Sequence, residues 1–161
     1  MIGRLWQKSR FRSPYLRNTL WTFGYALDTV ETALPWTKAV QAAHAIQQSL
    51  RRAFEAHGER PLIFTHLSHI YADGASVYTT FLFRRAQDPE ATLAAWRAAK
   101  QAVSRTIVES GGTISHQHGV GLDHAPYLQA EKSAPGLELL RAACRALDPD
   151  GMLNPGKLLS P

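Results

Sequence analysis

The sequence has a single cysteine, Cys144, among its 161 residues. One thiol is too few for an internal disulfide or for a metal site made of several thiolates, and it is typical of a reducing compartment. No apolar run approaches the ~20 residues that cross a bilayer, and the first ten positions lack the apolar stretch of a secretory signal. We therefore expect a cytoplasmic protein outside the zinc-finger, disulfide-stapled and membrane-spanning classes.

Acidic residues are missing before Asp28, although the chain has 18 basic and 13 acidic residues in all. The excess of +5 lies in an N-terminal arm, residues 1–24, where aromatic residues accompany Arg4, Lys8, Arg10, Arg12 and Arg17. Such an arm suits nucleic acid, an anionic membrane surface or a phosphorylated small molecule, and a solubilising segment is the plain alternative. Nucleic acid is not expected, because no second basic stripe and no nucleic-acid-binding motif follows.

The rest of the chain, 25–161, alternates between strand and helix patterns. Strands are predicted at 25–34, 62–71 and 76–83, the last two joined by a turn at Asp73 and Gly74. Helices are predicted from a cap at Thr37 to Gly58, and from a cap at Asp88 to the pair Gly111 and Gly112.

A short extended piece at 113–118 and a final helix complete the order. The final helix carries Leu137, Leu140, Cys144 and Leu147 on one face, which predicts a buried, inert Cys144. This order predicts an α+β fold, an antiparallel sheet with helices packed on one face.

The segment Ser-His-Gln-His-Gly-Val-Gly at 115–121 is the strongest candidate for chemistry. In an extended segment His116 and His118 point to the same side, where two imidazoles can transfer protons, bind a metal or bond an anion. The plain alternative is a pair of surface histidines in a turn. His66, His69 and Asp73 are the candidate partners for a metal, but Gln117 is a poor ligand, so no metal is expected.

These pieces together resemble the C-terminal half of the vanillyl-alcohol-oxidase-type family of FAD-linked oxidases. Two strings carry the resemblance: Gly-Gly-Thr-Ile-Ser-His-Gln-His-Gly-Val-Gly at 111–121 and Leu-Asp-Pro-Asp-Gly-Met-Leu-Asn-Pro-Gly-Lys-Leu-Leu at 147–159. The strings at 11–18, 28–36 and 65–78 are most similar to the alkyldihydroxyacetonephosphate synthase branch. The resemblance covers about residues 10 to 160, so it implies a ferredoxin-like substrate-binding cap domain over 25–161.

The resemblance also implies roles for individual residues. Arg17 matches the arginine that holds the anionic head of the substrate, and Tyr78 matches a tyrosine that donates and accepts a proton. His116, Gln117 and His118 fall where the branch has three consecutive histidines near the flavin, and Gln117 cannot take a proton at neutral pH. Asn154 and Lys157 fall in a flavin-facing tail.

The resemblance implies an FAD-dependent enzyme that exchanges the acyl group of acyl-dihydroxyacetone phosphate for a long-chain alcohol. The glycine-rich FAD-binding domain of the family is not found in the sequence, so we expect FAD to be bound mainly by another domain or subunit. The isolated chain is then expected to be inactive. A phosphorylated lipid substrate and contact with a membrane surface follow from the same resemblance, and a homodimer is left open.

Two other functions remain open. One is an FAD-dependent oxidoreductase that acts on a 2-hydroxyacid or an alcohol, and the other is a non-catalytic fragment that binds a partner. Related hydroxyacid dehydrogenases hold a metal with a loop glutamate and two hairpin histidines. Gln117 and Tyr78 stand near two of those places here, so the metal-assisted reaction is the weaker alternative.

Overall fold

The computed structural model describes residues 2–159. Its helices are α1 (Ile2–Ser9), α2 (Ser13–Thr22), α3 (Trp36–Glu55), α4 (Pro89–Ser110) and α5 (Leu128–Leu147), with a short 3-10 turn at Ala125–Tyr127 before α5. Its strands are β1 (Tyr25–Pro35), β2 (Leu62–Ile70) and β3 (Gly74–Arg84). The predicted strands therefore lie where the sequence pattern placed them, to within a few residues.

The three strands form one antiparallel sheet in the order β1-β3-β2. Alternate residues of the central strand β3 face α3 and α4, and the rings of Phe81 and Phe83 lie 5.8 Å and 4.5 Å from the ring of Phe54. Ile46 and Leu50 of α3 are fully buried in the same core. The predicted α+β fold, with an antiparallel sheet and helices packed on one face, is confirmed. The opposite face of the sheet is not covered by α3 and α4, and we call it the open face.

The start of α4 has the side-chain cap that its sequence predicts, whereas the start of α3 does not. Asp88 caps α4 as predicted, because its carboxylate accepts hydrogen bonds from the backbone N–H groups of Glu90 and Ala91, and Gly111 ends the helix with a φ of 73°. The predicted cap at Thr37 is wrong. The helix α3 begins at Trp36 directly after Pro35, since the strand runs into the helix without a loop.

The N-terminal arm forms two helices, α1 and α2, whose residues are mostly exposed. It is attached to the sheet layer through Arg85, which stacks over the Trp21 ring at 4.0 Å and donates a hydrogen bond to the Trp21 carbonyl.

The extended piece at 113–118 is not a strand in the structure. Thr113 makes one backbone pair with Ala33 of β1 and also accepts a hydrogen bond from the Ala33 N–H through its hydroxyl. The chain then leaves the edge of β1, and Gln117 adopts a left-handed φ of 62°. A strand cannot continue through such a residue, so a loop crosses the sheet instead.

The final helix departs from its predicted burial. Cys144 is exposed and Leu147 is 83% exposed, so the prediction of a buried Cys144 is wrong. The helix is kinked at Ser133, which has a φ of 64°, with Pro135 after it, and beyond the kink burial extends only to Leu137 and in part to Leu140. The buried residues of α5 are Leu128 and Leu137, which pack on Ile114 in a second, small cluster. Within residues 2–159, none of the helices combines the length and the apolar content that a membrane span requires.

Candidate functional site

The open face of the sheet carries a row of polar side chains across all three strands. Glu31 of β1 and His66 of β2 both lie opposite Tyr78 of the central strand. Residues that pair directly across strands share a face, so the three side chains are neighbours. The rings of His66 and Tyr78 are stacked with their centres 5.1 Å apart.

An irregularity in β2 adds His69 to this row. Leu67 pairs with Val77, whereas Ile70 pairs with Ala75, so two residues of β2, Ser68 and His69, lie opposite the single residue Ser76. This is a β-bulge, which re-aims side chains locally. The backbone N–H of His69 donates to the Ser76 hydroxyl, and the Nδ1 of its ring lies 3.5 Å from Oε1 of Glu31.

The loop that follows α4 brings two further imidazoles to Glu31. Nδ1 of His116 lies 3.1 Å from Oε1 of Glu31, and Nε2 of His118 lies 3.1 Å from Oε2. The Ser76 hydroxyl donates a hydrogen bond of 2.7 Å to Oε1. His116 and His118 do lie on one side as predicted, but a left-handed Gln117 between them and a shared carboxylate bring them there, not an extended backbone.

Two tyrosines complete the cluster. The hydroxyl of Tyr71 and Nε2 of His116 are 2.9 Å apart. The rings of Tyr78 and His118 meet edge to face, with their centres 5.8 Å apart. The Glu31 side chain is 2% exposed, that of His116 14% and that of His118 36%. The carboxylate of Glu31 is therefore buried at the bottom of the site, and the site opens to solvent at His118.

The same atoms have the spacing of a three-ligand metal site. A carboxylate oxygen of Glu31 and ring nitrogens of His69 and His116 all lie within 4.8 Å of one another. A catalytic zinc ion requires three protein ligands and one open position. Of the three partners that the sequence suggested for a metal, His69 belongs to this group, whereas His66 and Asp73 do not. The carboxylate of the group is that of Glu31 in β1, not that of Asp73 in the turn.

Arg17 lies elsewhere, on α2, where it is exposed. It lines a cavity of about 550 Å³ between α2, the first half of β1 and α4. The other lining residues include aromatic and charged side chains, among them Trp21, Asp28, Phe83, Arg85, Trp96, Lys100 and Asp123. Tyr78, His116 and His118 do not line this cavity.

Asn154 and Lys157 lie in the segment that follows α5. Asn154 is exposed with a left-handed φ of 49°, and the N–H of Leu158, next to Lys157, donates to the carbonyl of Val120. The segment is thereby held beside the glycine-bearing end of the histidine loop. The structure brings Tyr78, His116 and His118 together, links the segment of Lys157 to their loop through Leu158, and separates Arg17 from them.

His124 feels the charges of Lys100 and Asp123, which line the cavity of Arg17, and of His118. Burial lowers the pKa of His124 below its ordinary value of 6.5, and the charge of Lys100 lowers it further. The charge of Asp123 acts in the opposite direction, and His118 contributes a smaller lowering. The neutral form of the His124 imidazole is thus favoured.

Sequence reasoning missed Glu31 and Tyr71. The signal for Glu31 was an acidic residue in the middle of a predicted strand, where acidic residues are depleted and a buried one needs partners. Tyr71 gave no separate signal, because it lies just after β2 and its contact with His116 depends on how the loop crosses the sheet.

Comparisons with known proteins agree with this architecture. A family model described as FAD linked oxidases, C-terminal domain, matches residues 2–158. The chain is 29% identical over 157 residues to alkyldihydroxyacetonephosphate synthase of Trypanosoma brucei brucei and 28% identical over 157 residues to that of Dictyostelium discoideum. Each match covers 98% of this chain and 25% of the relative, so the chain spans about a quarter of the length of these curated relatives.

A shorter match and a solved structure add detail. Glycolate oxidase subunit GlcD of Bacillus subtilis (strain 168) is 43% identical over 53 residues, which cover 33% of this chain and 11% of that protein. A solved structure of alkyldihydroxyacetonephosphate synthase superposes with a TM-score of 0.66 at 22% identity, over 95% of this chain and 24% of that one. At this identity the superposition establishes the shared fold.

Proposed function

The chain belongs to the family of FAD-linked oxidase C-terminal domains, and from that premise we propose that it is the substrate-side domain of an enzyme like alkyldihydroxyacetonephosphate synthase. The observation that carries the proposal is the position of Tyr78, on the open face of the sheet between His66 and His118. The synthase relatives match nearly the whole chain, whereas the glycolate oxidase subunit matches a third of it, which supports the synthase reaction over oxidation.

The open face has the chemistry to receive part of an FAD molecule bound mainly by another domain. Leu62, Phe64 and His66 alternate along β2, and all three are exposed, so apolar and hydrogen-bonding groups stand side by side as a flat heteroaromatic ring requires. The polar groups proposed to face the flavin are the ring nitrogens of His116 and His118, the amide of Gln117, and the side chains of Asn154 and Lys157. When bound, the flavin supplies the electron-accepting ring at which the exchange takes place.

The residues of this chain would then divide the work of a redox-neutral exchange. A fatty acid leaves with the ester oxygen, and a long-chain alcohol supplies the new ether oxygen, so no electrons are gained or lost overall. Tyr78 gives and takes the proton on the carbon beside the carbonyl, since a phenol can serve as both acid and base. His116 and His118 stabilise the charge of the departing carboxylate.

Arg17 is proposed to bind the phosphate of the substrate, because a guanidinium offers two parallel donors to an anion. Its place beside the cavity of about 550 Å³, away from Tyr78, sets a condition. Arg17 reaches a substrate at Tyr78 only if the helix α2 lies closer to the open face in the assembled flavoenzyme than it does in this structure. Here α2 is held to the sheet layer by the contacts between Trp21 and Arg85.

The experiment is the substitution Tyr78→Phe in the flavin-loaded enzyme that contains this chain. We expect incorporation of a labelled long-chain alcohol to fall by about 10²-fold or more, because the phenol proton is lost while the ring and its packing remain. Tyr25→Phe, at the start of β1 on the exposed side, is the matched control and should keep full activity. Unchanged turnover in Tyr78→Phe would refute the proton-transfer role.

A second function has an observation in its favour. The spacing of Glu31, His69 and His116 suits a divalent cation, and the short match to a glycolate oxidase subunit points to oxidation of a 2-hydroxyacid. The two functions are separated by one measurement. Bleaching of the flavin by a 2-hydroxyacid, abolished by a chelator and restored by zinc or manganese, supports oxidation. Alcohol incorporation that is insensitive to the chelator supports the synthase reaction.

A further inference from the structure

The two edges of the sheet are protected to different degrees. Along the outer edge of β1, Lys100 donates a hydrogen bond to the carbonyl of Thr29, and Thr113 bonds to both the N–H and the C=O of Ala33. The other edge is β2, and among residues 2–159 no further strand pairs with it. Its residues 62–70 include no Lys, Arg, Asp, Glu or Pro, and most of them are exposed. Open edges are usually blunted by such residues or by a covering segment, so β2 is an edge suited to a partner strand.

The hydrogen-bond pattern shows which groups of β2 face outward. Successive residues of an antiparallel strand bond in turn to one side and to the other. Ala33 of β1 bonds away from β3, so the odd-numbered residues of β3 bond to β1 and its even-numbered residues bond to β2. The partners of those residues in β2 are also even-numbered. The N–H and C=O groups of Ile63, Thr65 and Leu67 therefore point outward, away from β3.

We propose that β2 pairs with β2 of a second copy of this chain, in an antiparallel ladder about a twofold axis at Thr65. Thr65 then lies opposite the partner's Thr65, and Ile63 lies opposite the partner's Leu67. Each opposed pair exchanges both of its N–H···O bonds, as the outward direction of these groups requires. The two sheets become one sheet with the strand order β1-β3-β2-β2-β3-β1, and a twofold contact of this kind is closed.

The sequence around β2 selects this register over its neighbours. A shift in one direction would set Pro61, which has no N–H, opposite Leu67. A shift in the other direction would set Ile63 opposite His69, inside the bulge, where the strand is irregular. Of these registers, the axis at Thr65 is the one that pairs all the outward groups from 63 to 67 with regular strand.

The side chains that meet in this ladder suit an identical partner. Phe64 falls opposite the partner's His66 on the open face, and aromatic pairs across antiparallel strands are favourable. On the other face the apolar side chains of Ile63 and Leu67 meet. Because residues 62–70 contain no charged residue of either sign, a second copy brings no like charge against this edge.

The pairing places both open faces on one side of the joined sheet, because the twofold axis stands perpendicular to it. The partner's His66 then lies beside Phe64, in the row of side chains that the proposed function turns toward the flavin. Each copy thereby contributes an imidazole next to the site of the other. The pairing itself rests on the edge of β2 and not on the proposed reaction, so the failure of one does not decide the other.

Sedimentation of the chain over a range of concentrations tests the pairing. A ladder over residues 63–67 is smaller than the ~800 Å² per partner of a standard interface, so we expect a dissociation constant on the order of 10⁻⁵ M. The mass should rise from 17.8 kDa toward twice that value as the concentration increases from about 1 to about 300 μM. A chain that stays monomeric at the highest concentration would overturn the inference.

Thr65→Pro tests the edge. It removes the N–H at the centre of the ladder but no bond to β3, and Pro is tolerated at such positions of edge strands. We expect a folded chain that is monomeric at every concentration. The matched control is Thr65→Val, which also loses the 2.9 Å contact between the hydroxyls of Thr65 and Thr79 but keeps the N–H, and it should dimerise like the wild type. A folded Thr65→Pro chain that still dimerises would refute the ladder.

A pair of charge substitutions keeps the test independent of how Thr65→Pro folds. Leu67→Lys places a charge in the ladder, opposite Ile63, and should weaken the dimer by about 10-fold or more. Ile70→Lys is the matched control, since Ile70 is also exposed but lies beyond the bulge, and it should leave the dimer intact. Equal weakening in both variants would show that the added charge acts without the ladder, against the inference.

Disulfide cross-linking tests the register in a Cys144→Ser chain, because Cys144 is exposed. Phe64→Cys and His66→Cys chains, when mixed, present thiols in a non-hydrogen-bonded pair with Cα atoms about 4.5 Å apart, within reach of a disulfide. Two Phe64→Cys chains are diagonal neighbours at about 7–8 Å and should cross-link far more slowly. Faster cross-linking of Phe64→Cys alone than of the mixture would show a different register, and no cross-linking in either would contradict the pairing.

Discussion

Among single residues, His124 connects protonation to the stability of the fold. It is half-buried near Lys100 and His118, and burial is the main cause that lowers its pKa below 6.5. The folded chain therefore holds this ring neutral at a pH where the unfolded chain begins to protonate it. Because the unfolded state binds the extra proton, stability is lost when the pH falls through this window.

We expect the free energy of unfolding to decrease as the pH is lowered through 6.5 toward the lower pKa of folded His124, and to stop responding to this group below that value. Denaturation in urea at a series of pH values, for the wild type and for His124→Gln, measures the effect. The variant should show a shallower dependence over this window. An equal slope in both proteins would show that His124 does not titrate differently in the folded chain.

At the same scale, the sequence could predict which residue types form the site but not what joins them. His116 and His118 stand out because two imidazoles lie in one glycine-bearing loop, whereas Tyr78 was singled out only through the resemblance to the family. The structure brings the loop and Tyr78 together. Glu31 does not stand out, because its importance depends on the register of β1 with β3 and on a loop that crosses the open face. Such long-range pairing cannot be derived from one sequence.

Among the elements, α4 has the best-defined start. Both oxygens of Asp88 accept hydrogen bonds from the first turn, at 3.1 Å from the N of Glu90 and 3.2 Å from the N of Ala91. We expect Asp88→Ala to lower the free energy of unfolding by about 1 kcal/mol, because two N–H groups lose their acceptor. Chemical denaturation measures it. Asp88→Asn, which keeps an acceptor, should retain most of the stability, and an equal loss in both variants would mean that charge, not capping, matters.

The elements that sequence pattern predicted well are those with strong local punctuation. The strands around Asp73 and Gly74 and the helix from Asp88 to Gly111 begin and end at residues whose backbone preferences are unambiguous. The errors lie where distant contacts decide. Residues 113–118 look extended but form a loop because the histidines turn toward Glu31. The predicted buried face of α5 is kept only at Leu137 and in part at Leu140, because the second cluster does not extend to Cys144 and Leu147.

At the scale of the whole molecule, burial within residues 2–159 is divided between two clusters. The main core lies between the sheet and the helices α3 and α4, and Phe54 is fully buried in it. Among the described residues, the buried members of the second cluster are Ile114, Leu128 and Leu137. Two cores of such different size should not open together, because local stability follows the number of buried apolar contacts.

We therefore expect Phe54→Ala and Leu137→Ala to act on different parts of the chain. Phe54→Ala should lower the free energy of unfolding by about 3–5 kcal/mol and speed amide exchange throughout the sheet. Leu137→Ala should speed exchange in α5 and in the loop around Ile114, with β3 unchanged. Hydrogen exchange followed by mass spectrometry distinguishes the two patterns. Faster exchange of β3 in Leu137→Ala would show that the clusters unfold as one unit.

The bulge in β2 changes how the histidine spacing in this hairpin should be compared between proteins. His66 and His69 are separated by two residues, yet both reach the open face, because Ser68 and His69 share the position opposite Ser76. A strand that lacked Ser68 would be regular and would present the same two imidazoles with one residue between them. His-x-His on a straight strand and His-x-x-His on a bulged one therefore describe the same arrangement, and an ungapped alignment would separate proteins whose surfaces are equivalent.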